Sequence, residues 1–189
     1  IPEGGNIVGI SGGEFGLVLL ERAIVRMSYI GSPLFFQFDA ISRNLGCNSP
    51  GSITQYGNMT YFLADDGFYS CDGQQLYNIS NDKIDEYFYS TLNTALSDTI
   101  SSAVDPVNNI VIWNYPNTSG GRSLLIYNWL VKKWSSADTT TEYVASLAST
   151  TITLEGLDAY GTIDSITTSF DNRFWSGGKF IFGGIDNTK

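Results

Sequence analysis

The chain has 189 residues, enough for one domain with a substantial core or for several units of a repeat architecture. Only 15% of them are charged, 14% are aromatic, and the formal net charge is −9. That balance excludes a surface built to grip phosphates, which needs clustered Lys and Arg. The ten basic residues are scattered, with Lys132-Lys133 the single adjacent pair.

Strand patterns dominate the chain. Phe15 to Leu20 is a short apolar run that leads into Arg22 to Ile30. There Ala23, Val25, Met27 and Tyr29 alternate with Arg22, Arg26 and Ser28, Ile24 being the exception. Period two with polar residues on one side predicts a strand with one face buried. Gly31-Ser32-Pro33 marks a turn, and Leu34 to Phe38 resumes the apolar pattern. Met59 to Ala64 predicts a strand, Asp65-Asp66-Gly67 a hairpin turn, and Phe68 to Cys71 the return. Asp72-Gly73 is a second turn, followed by Gln75, Tyr77 and Ile79 on one face. Asp-Gly between apolar runs is a strong hairpin signal because tight hairpins need positive φ.

Ile84, Tyr87, Phe88 and Leu92 lie at helical spacing and predict one helix over Asp82 to Leu92. Asp82, Asp85 and Glu86 suit its positive end. Ile110 to Tyr115 and Ser123 to Trp129 are strands around a polar loop, Pro116 to Gly121, and Lys132 to Ser135 is a short edge. Ser135 to Thr153 predicts a loop holding a weak strand, Tyr143 to Leu147. Gly156 to Thr168 is a less regular connection, and Phe170 to Phe182 starts a further aromatic-rich unit.

These elements group into units at about 7–45, 53–80, 101–136 and 143–189. Tyr29, Tyr69 and Tyr127 recur at offsets of 40 and 58 residues. Irregular periods of that size, each with several short strands, point to an all-β fold: a propeller-like array of antiparallel meander blades, complete or partial, with one short helix. A β-sandwich is the alternative. The chain opens at Ile1 rather than Met, and its last unit shows no closing strand before Lys189. It therefore reads as a single β-repeat domain excerpted from a longer protein. Two cysteines make no disulfide framework, so Cys47 and Cys71 are read as free thiols of a reducing compartment. No apolar run approaches the roughly 18 residues of a membrane span.

Gly9-Ile10-Ser11-Gly12-Gly13 matches the letters of a nucleophile elbow. The elbow's serine needs a histidine as base, and the chain contains none. That lack, with only two cysteines, also removes the usual zinc, copper and iron sets. Asp65, Asp66 and Asp72 could hold a hard cation but lack calcium-loop spacing, and Asp is favoured in turns. Carboxylate pairs for glycoside hydrolysis would be Asp65 or Asp66 with Asp171, or Asp85 with Glu86. Arg22, Arg26, Arg43, Arg122 and Arg173 fall in unrelated contexts. Trp113, Trp129, Trp134 and Trp175 could stack on sugars, although in repeats such residues usually cap the core. Sequons begin at Asn58, Asn78 and Asn117, two of them within expected strands. The expectation is no enzyme: no catalytic, cofactor-binding or metal-binding residue, and no cofactor.

Several stretches carry a family resemblance, and their order is more telling than any one of them. They are Gly13-Glu14-Phe15-Gly16-Leu17-Val18-Leu19-Leu20-Glu21-Arg22-Ala23-Ile24-Val25-Arg26-Met27, then Phe36-Gln37-Phe38-Asp39-Ala40-Ile41 with Gly46 and Pro50-Gly51-Ser52-Ile53. Tyr61-Phe62-Leu63-Ala64-Asp65-Asp66-Gly67-Phe68-Tyr69, Ser123 to Ser135, and Phe170-Asp171-Asn172-Arg173-Phe174-Trp175-Ser176-Gly177-Gly178 follow. Together they resemble the β-propeller hub, nozzle or tail-tubular (DNA-stabilisation-like) structural proteins of short-tailed bacteriophages. The resemblance implies a virion tail subunit assembled in the host cytoplasm. It also implies a ring, commonly a hexamer, in contact with portal-adapter and other tail proteins, through which DNA passes transiently without specific binding. A carbohydrate- or receptor-binding propeller without catalysis is the alternative function.

Overall fold

A computed structural model of the chain describes residues 4–80, 82–148 and 180–186. The fold is all-β, with one α-helix among the described residues. The first sheet is the meander β1 (Ile7–Ser11), β2 (Gly16–Leu20), β3 (Ile24–Gly31) and β4 (Phe35–Ser42). A second meander holds β5 (Thr54–Tyr56), β6 (Met59–Ala64), β7 (Gly67–Cys71) and β8 (Leu76–Asn78). The helix α1 (Asp82–Thr91) then leads to the third, β9 (Ser101–Asp105), β10 (Ile110–Pro116), β11 (Arg122–Asn128) and β12 (Lys133–Thr139). In the fourth sheet β13 (Tyr143–Ala148) pairs antiparallel with β14 (Phe180–Ile185). Among the described residues the strands form four antiparallel sheets, three of them meanders of consecutive strands.

Burial explains why the second sheet reads as an unbroken apolar run. Along β6, Phe62 and Ala64 pack with Leu17, Leu19 and Ile24 of the first sheet. Tyr61 and Leu63 point the other way, into a cluster with Val111, Trp113, Tyr115, Leu125 and Tyr127 of the third. A strand covered on both faces has no solvent side to mark with polar residues. The helix drives Phe88 into the second cluster, with ring centroids 5.0 Å from Phe68 and 4.9 Å from Tyr115. A third cluster, Val18, Leu20, Ala23 and Val25, occupies the opposite face of the first sheet, with Met27 packed against it.

The connector from Cys47 to Ser52 is bonded to three sheets. Cys47 N–H donates to Leu20 O at 2.8 Å and Asn48 N–H to Leu63 O at 2.9 Å. Ser52 Oγ accepts from Leu63 N–H at 3.1 Å, while its carbonyl accepts the Trp113 indole N–H at 3.0 Å. Gly51 O accepts from Ser102 Oγ at 2.9 Å, and a Cβ on Gly51 would run into the Ile100 carbonyl. Hydroxyls also tie the third sheet to the fourth: Ser101 Oγ accepts from Val144 N–H, and Ser146 Oγ accepts from Val104 N–H.

Two expectations change. β12 is no short edge but pairs all seven residues, from Lys133 opposite Asn128 to Thr139 opposite Arg122. An edge strand largely open to water needs no apolar face, so its Ser and Thr gave no strand signal. The strand expected over Tyr143 to Leu147 is present as Tyr143–Ala148, and it is a full ladder partner of β14. Of the three sequon asparagines only Asn78 lies in a strand; Asn58 is in the turn after β5 and Asn117 in the loop after β10. The expected connection Gly156 to Thr168, and most of Phe170 to Phe182, lie outside the described residues.

Candidate functional site

The residues singled out for chemistry are held in structural roles at separate places. Ser11 is buried and its Oγ donates to Gln55 Oε1 at 2.6 Å, with Thr60 Oγ1 at 2.8 Å on its other side. It ties the first sheet to the second. Asp72 caps its own turn, Oδ1 accepting from the backbone of Gln74 and Gln75 and Oδ2 from the Tyr77 hydroxyl. These bonds, that from Gln75 first, hold its carboxyl below the usual carboxylate range. Asp66 accepts from Tyr69 Oη at 2.8 Å, and the Tyr89 hydroxyl bridges the carbonyls of Ala64 and Asp65. Asp85 accepts from Ser80 Oγ at 3.0 Å, and Glu86 beside it is exposed. Among the described residues no three His, Cys, Asp or Glu side chains come together as metal ligands. Asp171, Arg173 and Trp175 lie outside the described residues.

The arginines are equally dispersed. Arg122 is fixed by Asn114 Oδ1 and by Thr99 O, at 2.9 and 2.7 Å. Arg26 faces Asp39 at 3.7 Å in a half-exposed pair, an arrangement worth at most about 1 kcal/mol. Cys47 and Cys71 are free thiols buried in one cluster, and burial pushes both above the ordinary thiol value. Trp113 and Trp134 are core residues whose indole N–H groups donate to Ser52 O and Ile79 O. Trp129 is different: half-buried, it stacks on Tyr56 and Tyr61 at an edge between the second and third sheets.

One surface stands out, and sequence reading passed over it. β2 pairs with β3 only as far as Gly16 opposite Met27. Beyond that point β3 and β4 run on together, from Ser28 opposite Gln37 to Gly31 opposite Phe35, as a two-stranded arm overhanging the sheet. Residues directly opposite share a face and alternate along the strand. Met27 with Phe38 and Tyr29 with Phe36 therefore lie on one face, continuing the side of Val18 and Val25. Arg26 with Asp39 and Ser28 with Gln37 lie on the other. The arm is amphipathic.

Its apolar face is open. Tyr29 is 71% exposed, Phe36 and Phe38 about half, and Ile30, Leu34 and Phe35 add exposed apolar surface at the tip. Tyr29 and Phe36 meet edge to face at 5.8 Å. The tip turns through Gly31 at φ 84° and Phe35 at φ 57°, the latter costing a bulky side chain roughly 1–2 kcal/mol. The expectation of one buried face along Arg22 to Ile30 thus holds for Ala23 to Val25 and fails beyond Met27. The signal was the density of large apolar residues just past Gly31-Ser32-Pro33. Alternation alone cannot distinguish a face buried within the chain from one that is not.

No helix among the described residues is long and apolar enough to cross a membrane. No protein-family model matches the chain, and no curated protein matches it.

Proposed function

We propose that the chain is a structural subunit of a bacteriophage tail, a hub or nozzle component that assembles into a ring of identical copies around the DNA-ejection conduit. The overhanging arm carries this reading. A lone hairpin is marginal in water, and an amphipathic one gains stability by laying its apolar face on another surface. The occupant is a neighbouring copy, since a repeated head-to-tail contact closes into a ring. Covering the exposed halves of Tyr29, Phe36 and Phe38 contributes about 1 kcal/mol each, so about 3 kcal/mol per contact. The sequence resemblance supports the virion setting, with the portal-adapter and other tail proteins as further partners. Propeller-like closure of the successive meanders is part of the same proposal. The net charge of −9 suits a conduit, because an acidic wall repels phosphates and lets DNA slide.

The test is electron microscopy and light scattering of the full chain beside Tyr29→Ser/Phe36→Ser/Phe38→Ser. Wild type forms rings, and the triple variant needs roughly a hundredfold more protein to assemble while keeping its melting temperature. A monomeric wild type, or an unaffected triple variant, overturns the arm as the contact. Tight, salt-sensitive DNA binding by the assembled protein overturns the conduit.

A further inference from the structure

Between the second and third sheets, away from the arm, lies a cleft of about 440 Å³, within the size range of small-molecule sites. Its lining combines aromatic faces with hydroxyls. Trp129 lies near-parallel to Tyr61, with centroids 6.2 Å apart and planes 26° apart. Tyr61, Ser70 and Tyr127 also line it, and each is only 3–4% exposed. Asn78 and Lys132 stand at the more open side.

The hydroxyls of Tyr61, Ser70 and Tyr127 make no hydrogen bond to a described residue, and none of them is sealed from solvent, so they open onto the cleft. The Trp129 indole N–H makes none either, whereas those of Trp113 and Trp134 are both engaged. Burial alone pushes the Tyr127 phenol above its ordinary value, with no bond to offset it, and burial does most of the same for Tyr61. Three hydroxyls and an indole N–H without protein partners thus line one cavity and are available to hydrogen-bond whatever enters it.

The chemistry of the lining selects the class of occupant. A pyranose has an apolar C–H face that stacks on an aromatic ring and a rim of hydroxyls that both donate and accept. Tyrosine and serine hydroxyls match that rim in both directions. An acyl chain would strand all four polar groups. A polyanion would meet a single cation, Lys132, in a chain of net charge −9.

We propose that this cleft binds one hexopyranose unit of a neutral saccharide, stacked against Trp129 and hydrogen-bonded by Tyr61, Ser70 and Tyr127. The site is independent of the arm, so a tail ring and a saccharide site stand or fall separately.

The experiment titrates the full chain with methyl glycosides of glucose, galactose, mannose and N-acetylglucosamine. Tryptophan emission and calorimetry are the readouts, with a neutral glycan array in parallel. At least one sugar binds and shifts the emission. Tyr61→Phe, Ser70→Ala and Tyr127→Phe keep the packing and remove one hydroxyl each. Each weakens binding about fivefold, as one hydrogen bond does. Their melting temperatures stay level, because none of these hydroxyls makes a hydrogen bond within the protein. A cleft that merely holds water gives no sugar binding on the panel or the array, which overturns the proposal. Binding that all three hydroxyl variants retain at wild-type strength overturns it as well.

Discussion

Replacing each described tryptophan by phenylalanine tests how the sheets are joined. Trp113 is fully buried, its ring 4.7 Å from Phe68 and 5.6 Å from Trp134, and its N–H is bonded to Ser52 O at 3.0 Å. Phenylalanine there leaves a void of roughly 40 Å³, which at about 24 cal/mol per Å³ costs about 1 kcal/mol. Losing the bond at a buried carbonyl adds about 1–2 kcal/mol. The sum, about 2–3 kcal/mol, lowers the melting temperature of a chain this size by roughly 5–10 °C. Trp134 is half-buried and bonds Ile79 O at 2.9 Å, so Trp134→Phe falls between. Trp129→Phe has no such bond to lose and costs under about 1 kcal/mol. Thermal melts of the three single variants in one buffer give the order 113, 134, 129. Trp129→Phe equalling Trp113→Phe, or Trp113→Phe melting within about 2 °C of wild type, would refute the reasoning.

Alkaline pH should destabilise the fold along a defined window. Burial pushes the Tyr61 phenol up to about 12, and burial with the nearby carboxylates does the same for Tyr89. The unfolded chain therefore releases these protons first, and stability, intact below about pH 10, falls as pH rises toward 12. Melting temperature followed across that window in Tyr61→Phe shows a shallower decline than wild type; an identical decline excludes Tyr61 as a contributor. Gly51→Ala forces a methyl against the Ile100 carbonyl and lowers stability by about 2 kcal/mol or more. Gly12→Ala, with nothing within 4 Å, changes it by less than about 0.5 kcal/mol in denaturant titrations.

What the sequence disclosed tracks where local chemistry decides structure. Asp65-Asp66-Gly67 specifies its hairpin because Gly67 sits at φ 141°, and the spacing of Ile84, Phe88 and Leu92 marks the helix. β1, β5 and β9 escaped notice. In β9, Ser101-Ser102-Ala103 looks like loop chemistry. Its strand character comes from β10 on one side and from hydroxyl bonds to the fourth sheet on the other. The arm was visible as strands but not as an open surface, since exposure depends on where β2 stops. The cleft was invisible. Tyr61 and Ser70 stand opposite one another in the second sheet, but Tyr127 joins them only from the third, and a missing hydrogen bond leaves no mark in a pattern of letters.

The connector at Ser52 sets an order in time. Each of the first three sheets is contiguous in the chain, so each can pair its strands as it leaves the ribosome. Yet the Ser52 carbonyl waits for an indole 61 residues downstream. Until that stretch is synthesised, the apolar side of β6 that carries Tyr61 and Leu63 faces water. Nascent protein halted there is the species a chaperone would hold and a protease would cut.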